Sequence, residues 1–178
     1  MCIIAIKPAG VKMNFKRLEI MFNNNADGAG FAFHTATNDI HISKGYFKFQ
    51  NFRRAVKKTG IKKRHEVMFH FRIATHGGVR RDNCHPFPLT SNAESLQSHH
   101  INTDVAIAHN GVIPMMGIEK KFSDTMIYIR DYLAPLGKDF VTNPAAHPII
   151  GHSAESKLAI MSSSGIQTIG KFIESDGW

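Results

Sequence analysis

Three groups of residues in this chain have the types and spacing that could do chemistry. Cys2 directly follows the initiator Met. Removal of Met1 would leave one residue holding both a thiol nucleophile and a free α-amine. An α-amine ordinarily titrates near ~7.7–8.0, which suits a general base at neutral pH far better than a lysine does. Alone, a cysteine in a core strand is usually an inert small hydrophobe.

The second group is the run His70-Phe71-Arg72-Ile73-Ala74-Thr75-His76-Gly77. On a strand, His70 and Arg72 share a face, and a strand-end arginine can hold a carboxylate through paired charge-assisted hydrogen bonds. The irregular stretch Asn83-Cys84-His85-Pro86-Phe87 follows it. The third group is Ala108-His109-Asn110-Gly111, after an apolar strand. A side-chain amide next to a glycine N–H can form an oxyanion hole, although an isolated Asn-Gly is more often a turn. Ser123-Asp124-Thr125 reads equally well as a helix cap.

In order, Cys2, Arg-x-Ala-Thr-His-Gly at 72–77, Asn-x-His-Pro at 83–86, His-Asn-Gly at 109–111 and Ser123-Asp124-Thr125 resemble the class II glutamine amidotransferases, the N-terminal nucleophile glutaminases. The resemblance spans residues 2 to about 133, includes the turn Asn25 to Phe31, and extends weakly into Lys157 to Phe172. It implies an α+β fold, a four-layer αββα sandwich of two antiparallel sheets of the Ntn-hydrolase type. It also implies hydrolysis of the glutamine side-chain amide through a Cys2 thioester, with release of glutamate and ammonia. Asn110 and Gly111 match the oxyanion donors, Arg72 the arginine that binds the substrate α-carboxylate, and Asp124 the acid that binds its α-ammonium. Thr75, His76 and Gly77 match the surrounding pocket. Ile73 departs from the tryptophan of the amino-sugar-synthesising members. No cofactor is implied. The expected partners are glutamine and a separate ammonia-accepting synthase, with another γ-glutamyl or amide substrate as an alternative.

The elements that must position these residues are legible in part. Cys2 to Ile6 reads as a strand buried on both faces, and Asn14 as the cap of a helix through Phe22. Gly30 to His34 and Asp39 to Ser43 form strands around the turn Thr35 to Asn38, and Phe49, Phe52 and Val56 define the apolar face of a second helix ending at Gly60. Glu66 to Ile73 and Val105 to Ala108 are strands, Ser123 to Leu133 a third helix, and Lys157 to Met161 with Ile166 to Ile173 a terminal hairpin. The 178 residues read as a single domain over 1–178, large enough to bury a core.

Composition narrows the classes. At 43% hydrophobic and 20% charged, disordered and fibrous readings are excluded. Two cysteines give no disulfide framework, and the N-terminal apolar run is too short for a signal peptide, so a cytoplasmic protein with no membrane contact is expected. The net charge of +8 is local: seven basic residues and no acidic one lie within 53–64, while the remaining fifteen basic residues face fourteen acidic ones. That patch suggests an anionic partner. It also supports the competing expectation of a catalytically idle protein of the same fold that binds nucleic acid or a protein there. His99-His100 and His109 lack the spacing of metal ligands, so no metal site is expected.

Overall fold

Asn14 adopts an extended backbone and its side chain accepts a hydrogen bond from Arg17 N at 3.0 Å, starting the first helix where the sequence places its cap. In the computed structural model, residues 1–74, 78–114, 119 and 121–178 are described. In chain order the elements are β1 (Ile3–Lys7), α1 (Phe15–Asn24), β2 (Ala29–His34), β3 (Ile40–Tyr46), α2 (Phe49–Lys58), β4 (Val67–Phe71), β5 (Phe87–Pro88), α3 (Ala93–Gln97), β6 (His100–Thr103), β7 (Ala106–Asn110), α4 (Asp124–Tyr128), α5 (Ala146–Ala154), β8 (Lys157–Ser162) and β9 (Gly165–Ile169). The fold is α+β, with two antiparallel sheets ordered β1-β4-β2-β3-β6 and β5-β7-β8-β9.

Alternation along the strands sorts side chains into three buried clusters. Phe31, Phe69 and Phe71 meet Leu18 and Phe22 of α1 and Phe52 and Val56 of α2 on one face of the five-stranded sheet. Its other face contributes Ala32, Ile42 and Met68 to a cluster shared with Ala106, Ala108, Ala159 and Met161 of the four-stranded sheet. The alternate residues Ile107, Leu158 and Ile160 pack outward against Met126, Ile129, Leu133, Ile150 and Ala154. Four alanines at the inter-sheet face let the two sheets approach closely.

Several expectations need correction. β1 is an edge strand, not one buried on both faces: Ile3, Ile4 and Ile6 are only half-buried, and the strand runs on to a fully buried Lys7. Lys7 Nζ donates to the carbonyls of Pro8, Lys63 and His65, which satisfies the ammonium group that hydropathy marks as a strand end. The third helix is α-helical only through Tyr128, after which Ile129–Leu133 widens into a π-turn. The irregular stretch after Gly77 contains β5, α3 and the start of β6, and α5 was not expected at all.

Phe52 is fully buried and packs against the rings of Phe22, Phe31, Tyr46, Phe49, Phe69 and Phe71 at centroid distances of 5.5–6.2 Å. Phe52→Ala is expected to cost about 3–5 kcal/mol of unfolding free energy, because six aromatic neighbours cannot all collapse into the void; urea denaturation checks this.

Candidate active site

Strand pairing brings the first two groups of site residues together. Ile3 is opposite Phe71 in the β1–β4 ladder, so Cys2 and Arg72 lie at the same end of the five-stranded sheet. The Cys2 thiol is half-buried and free, with Sγ 3.7 Å from Ile73 O. Cys84 is different: burial pushes its thiol up to about 11, against the opposing effect of Arg72 and Lys44, so it stays protonated and unreactive. Of the two cysteines, only Cys2 is accessible.

The turn before β2 clamps this sheet end. Asp27 N donates to Arg72 O at 3.0 Å, Arg72 N to Gly28 O at 2.8 Å, and Ala74 N to Asp27 Oδ2 at 2.9 Å. Asn25, buried, donates from Nδ2 to Met1 O at 2.9 Å and to Phe71 O at 3.4 Å, tying the residue that precedes Cys2 to β4. Gly28 is required: its φ is +136° and a Cβ there would lie 2.3 Å from Cys84 Sγ.

Asn110 ends β7 on the opposite sheet, on the side of Ala106 and Ala108 that faces the first sheet. Cys2 and Asn110 line one pocket of about 220 Å³, whose wall also holds Lys157, Lys171, Phe172 and Ile173. Lys157 is opposite Asn110 in the β7–β8 ladder. Asn110 Oδ1 is buried without a hydrogen-bond partner among the described residues. Gly111 follows, and a Cβ on it would lie 2.3 Å from Ser156 Cβ, so only glycine lets this loop close on the residue before β8.

Arg72 is buried, with Nη1 donating to Gly78 O at 2.8 Å, and it is not among the described residues lining that pocket. Asp124 is half-buried, accepting from Ile113 N and Thr125 N at 2.8 Å each, so its carboxylate holds the loop after Asn110 against α4. Thr75, His76 and Gly77 lie outside the described residues.

Beneath these groups runs a histidine network that the sequence analysis did not anticipate. Ser156 Oγ donates to Ala154 O at 2.6 Å, so it must accept from His109 Nε2, also 2.6 Å away. A neutral His109 then accepts at Nδ1 from Thr125 Oγ1 at 2.9 Å, leaving that oxygen to accept from His85 Nε2 at 3.2 Å. His70 Nε2 donates across the sheets to His109 O at 3.0 Å, and the His70 and His85 rings are 4.2 Å apart. Burial drives His70 down to about 3 and His109 to about 4, and holds His85 well below its ordinary range, so all three are neutral at pH 7. The signal available in sequence was the recurrence of His at strand positions 70 and 109 beside the two motifs.

The described residues contain no cluster of His, Cys, Asp and Glu that could hold a metal ion, and no helix long and apolar enough to cross a membrane. No protein-family model and no curated protein sequence matches the chain.

The depressed imidazoles make stability depend on pH. Unfolded histidines bind protons below about 6.5 whereas these do so only near 3–4, so the unfolded state binds more protons over that window. Unfolding free energy is expected to be insensitive to these groups above pH 7 and to fall as pH drops from about 6.5 towards 4. Urea titrations across that range should show the loss, with a shallower slope in His109→Gln.

Proposed function

We propose that the protein is a glutaminase of the N-terminal nucleophile type, hydrolysing the side-chain amide of glutamine with Cys2 as nucleophile. The observation that carries this reading is the shared pocket of Cys2 and Asn110, residues far apart in sequence and on different sheets. The stacking of α1 and α2, the two sheets, and the helices beyond the second sheet is compatible with the αββα sandwich of that class.

In this reading removal of Met1 frees the Cys2 α-amine, which takes the thiol proton as Sγ attacks the amide carbon. Asn110 and the Gly111 N–H stabilise the oxyanion. The amine then protonates the departing nitrogen, the C–N bond breaks, ammonia leaves and a thioester remains. Water, deprotonated by the same amine, attacks the thioester to release glutamate and restore the thiol. Lys157 and Lys171 give the pocket wall positive potential that favours an anionic substrate group. By the resemblance, Arg72 and Asp124 are the residues for the α-carboxylate and α-ammonium, with Thr75, His76 and Gly77 as further substrate-positioning residues. The ammonia is released to an acceptor or a partner synthase.

Met1-free protein, verified by mass spectrometry, is expected to release glutamate from glutamine, and Cys2→Ala to abolish that release. Activity surviving in Cys2→Ala, or absent from the processed wild type, would refute the assignment. Asn110→Ala should lower kcat by on the order of a hundredfold with little change in KM, as loss of an oxyanion donor does; steady-state kinetics separate the two parameters.

A further inference from the structure

Helices α1 and α2 cover only part of the five-stranded sheet. The buried cluster beneath them draws on β1, β2 and β4, with Tyr46 at its margin, and takes nothing from β6. On the same face, strand register lays two rows across the remaining strands: Phe33, His41 and Asn102 in one, Phe31, Ser43 and His100 in the other. These rows and α2 enclose a groove of about 740 Å³.

Its floor is organised. His41 Nδ1 lies 2.7 Å from Asn102 Oδ1, and Ser43 Oγ lies 2.6 Å from Tyr46 Oη and 3.1 Å from His100 Nδ1. The His41 and His100 rings are nearly parallel at 6.2 Å, and Phe33 meets His41 edge to face at 5.7 Å. Burial and the neighbouring His41 and His99 hold His100 below its ordinary range, so at neutral pH it presents an uncharged aromatic face.

The rim is cationic. The basic run divides by helical spacing: Arg53 and Lys57 turn towards the Phe15 ring, at 5.5 and 5.6 Å, whereas Arg54 and Lys58 line the groove. Both rim residues are exposed, neither makes an ion pair among the described residues, and no acidic residue lines the groove. Like charges four residues apart repel on a helix, so this pair lowers helix stability unless an anion lies between them.

We propose that this groove binds a nucleotide, with the base stacked on the His41, His100 and Phe33 floor and the phosphate held by Arg54 and Lys58. An aromatic floor beside paired cations matches a ligand that carries a π-face and a phosphate together. The ligand's source is a free mononucleotide or a nucleotide of a single strand. The site is separate from the Cys2 pocket, and the inference does not depend on the glutaminase reading.

Calorimetric titration with AMP, with a short single-stranded oligothymidylate and with inorganic phosphate tests it, alongside NMR of the histidine rings. Saturable AMP binding that shifts the His41 and His100 resonances identifies a free nucleotide. Binding of the oligonucleotide alone, with the same shifts and a steep salt dependence, identifies a strand. Arg54→Glu with Lys58→Glu, both on the exposed helix face, should weaken either by on the order of tenfold or more, and His41→Ala should weaken base-bearing ligands only. Absence of binding by both nucleotide probes at millimolar concentration and low salt overturns the proposal. So does phosphate binding as tight as AMP, or affinity unchanged by charge reversal.

Discussion

A chain of single-proton hydrogen bonds through three buried imidazoles joins the two sheets, and the geometry of the candidate active site depends on it. Ser156 fixes the proton of His109, His109 fixes the direction of the Thr125 hydroxyl, and that hydroxyl in turn fixes the tautomer of His85. His70 reaches from the other sheet to the backbone of His109 itself. The end of β4, where Arg72 begins, and the end of β7, where Asn110 sits, are thereby held in one frame. A proton added to any of the three rings would place a second donor where the frame provides another donor, as at His109 Nδ1, or no hydrogen-bond partner among the described residues, as at His70 Nδ1 and His85 Nδ1.

The alanine-rich inter-sheet face makes this possible. Bulkier residues at Ala32, Ala106, Ala108 and Ala159 would hold the sheets apart, and a hydrogen bond of 3.0 Å between strands of different sheets would be out of reach. Buried cations elsewhere follow the same logic of local satisfaction. Lys44 Nζ donates to the carbonyls of Asp82 and Leu96 and lies 3.8 Å from the Phe87 ring centroid, while its burial lowers the ammonium to about 7.

How much of this could be read beforehand depends on where the determining interaction lies in sequence. The α1 cap and the α2 face were legible because Asn14, Phe49, Phe52 and Val56 act within a few residues of one another. The β2–β3 hairpin was legible for the same reason, its turn closing with Asn38 in the left-handed region. β6 was hidden because its residues alternate between half-buried and exposed positions and contribute little apolar signal. α5 carries Pro148 and Gly151 inside the helix, both poor helix formers, and is held by the packing of Ile150 and Ala154. The nearness of Cys2 to Asn110 and the cationic wall at Lys157 and Lys171 arise from sheet-on-sheet packing, to which no local pattern points.

The pocket wall has a consequence for the order in which the molecule is built. Cys2 is synthesised well before Lys157 and Lys171 to Ile173, which line the same pocket. Asn110 is likewise without its ladder partner Lys157 until β8 emerges. A nascent chain therefore exposes its thiol long before any cleft surrounds it. The enclosing surface is assembled only by contacts between residues far apart in sequence, the kind whose loop-closure entropy makes folding slow.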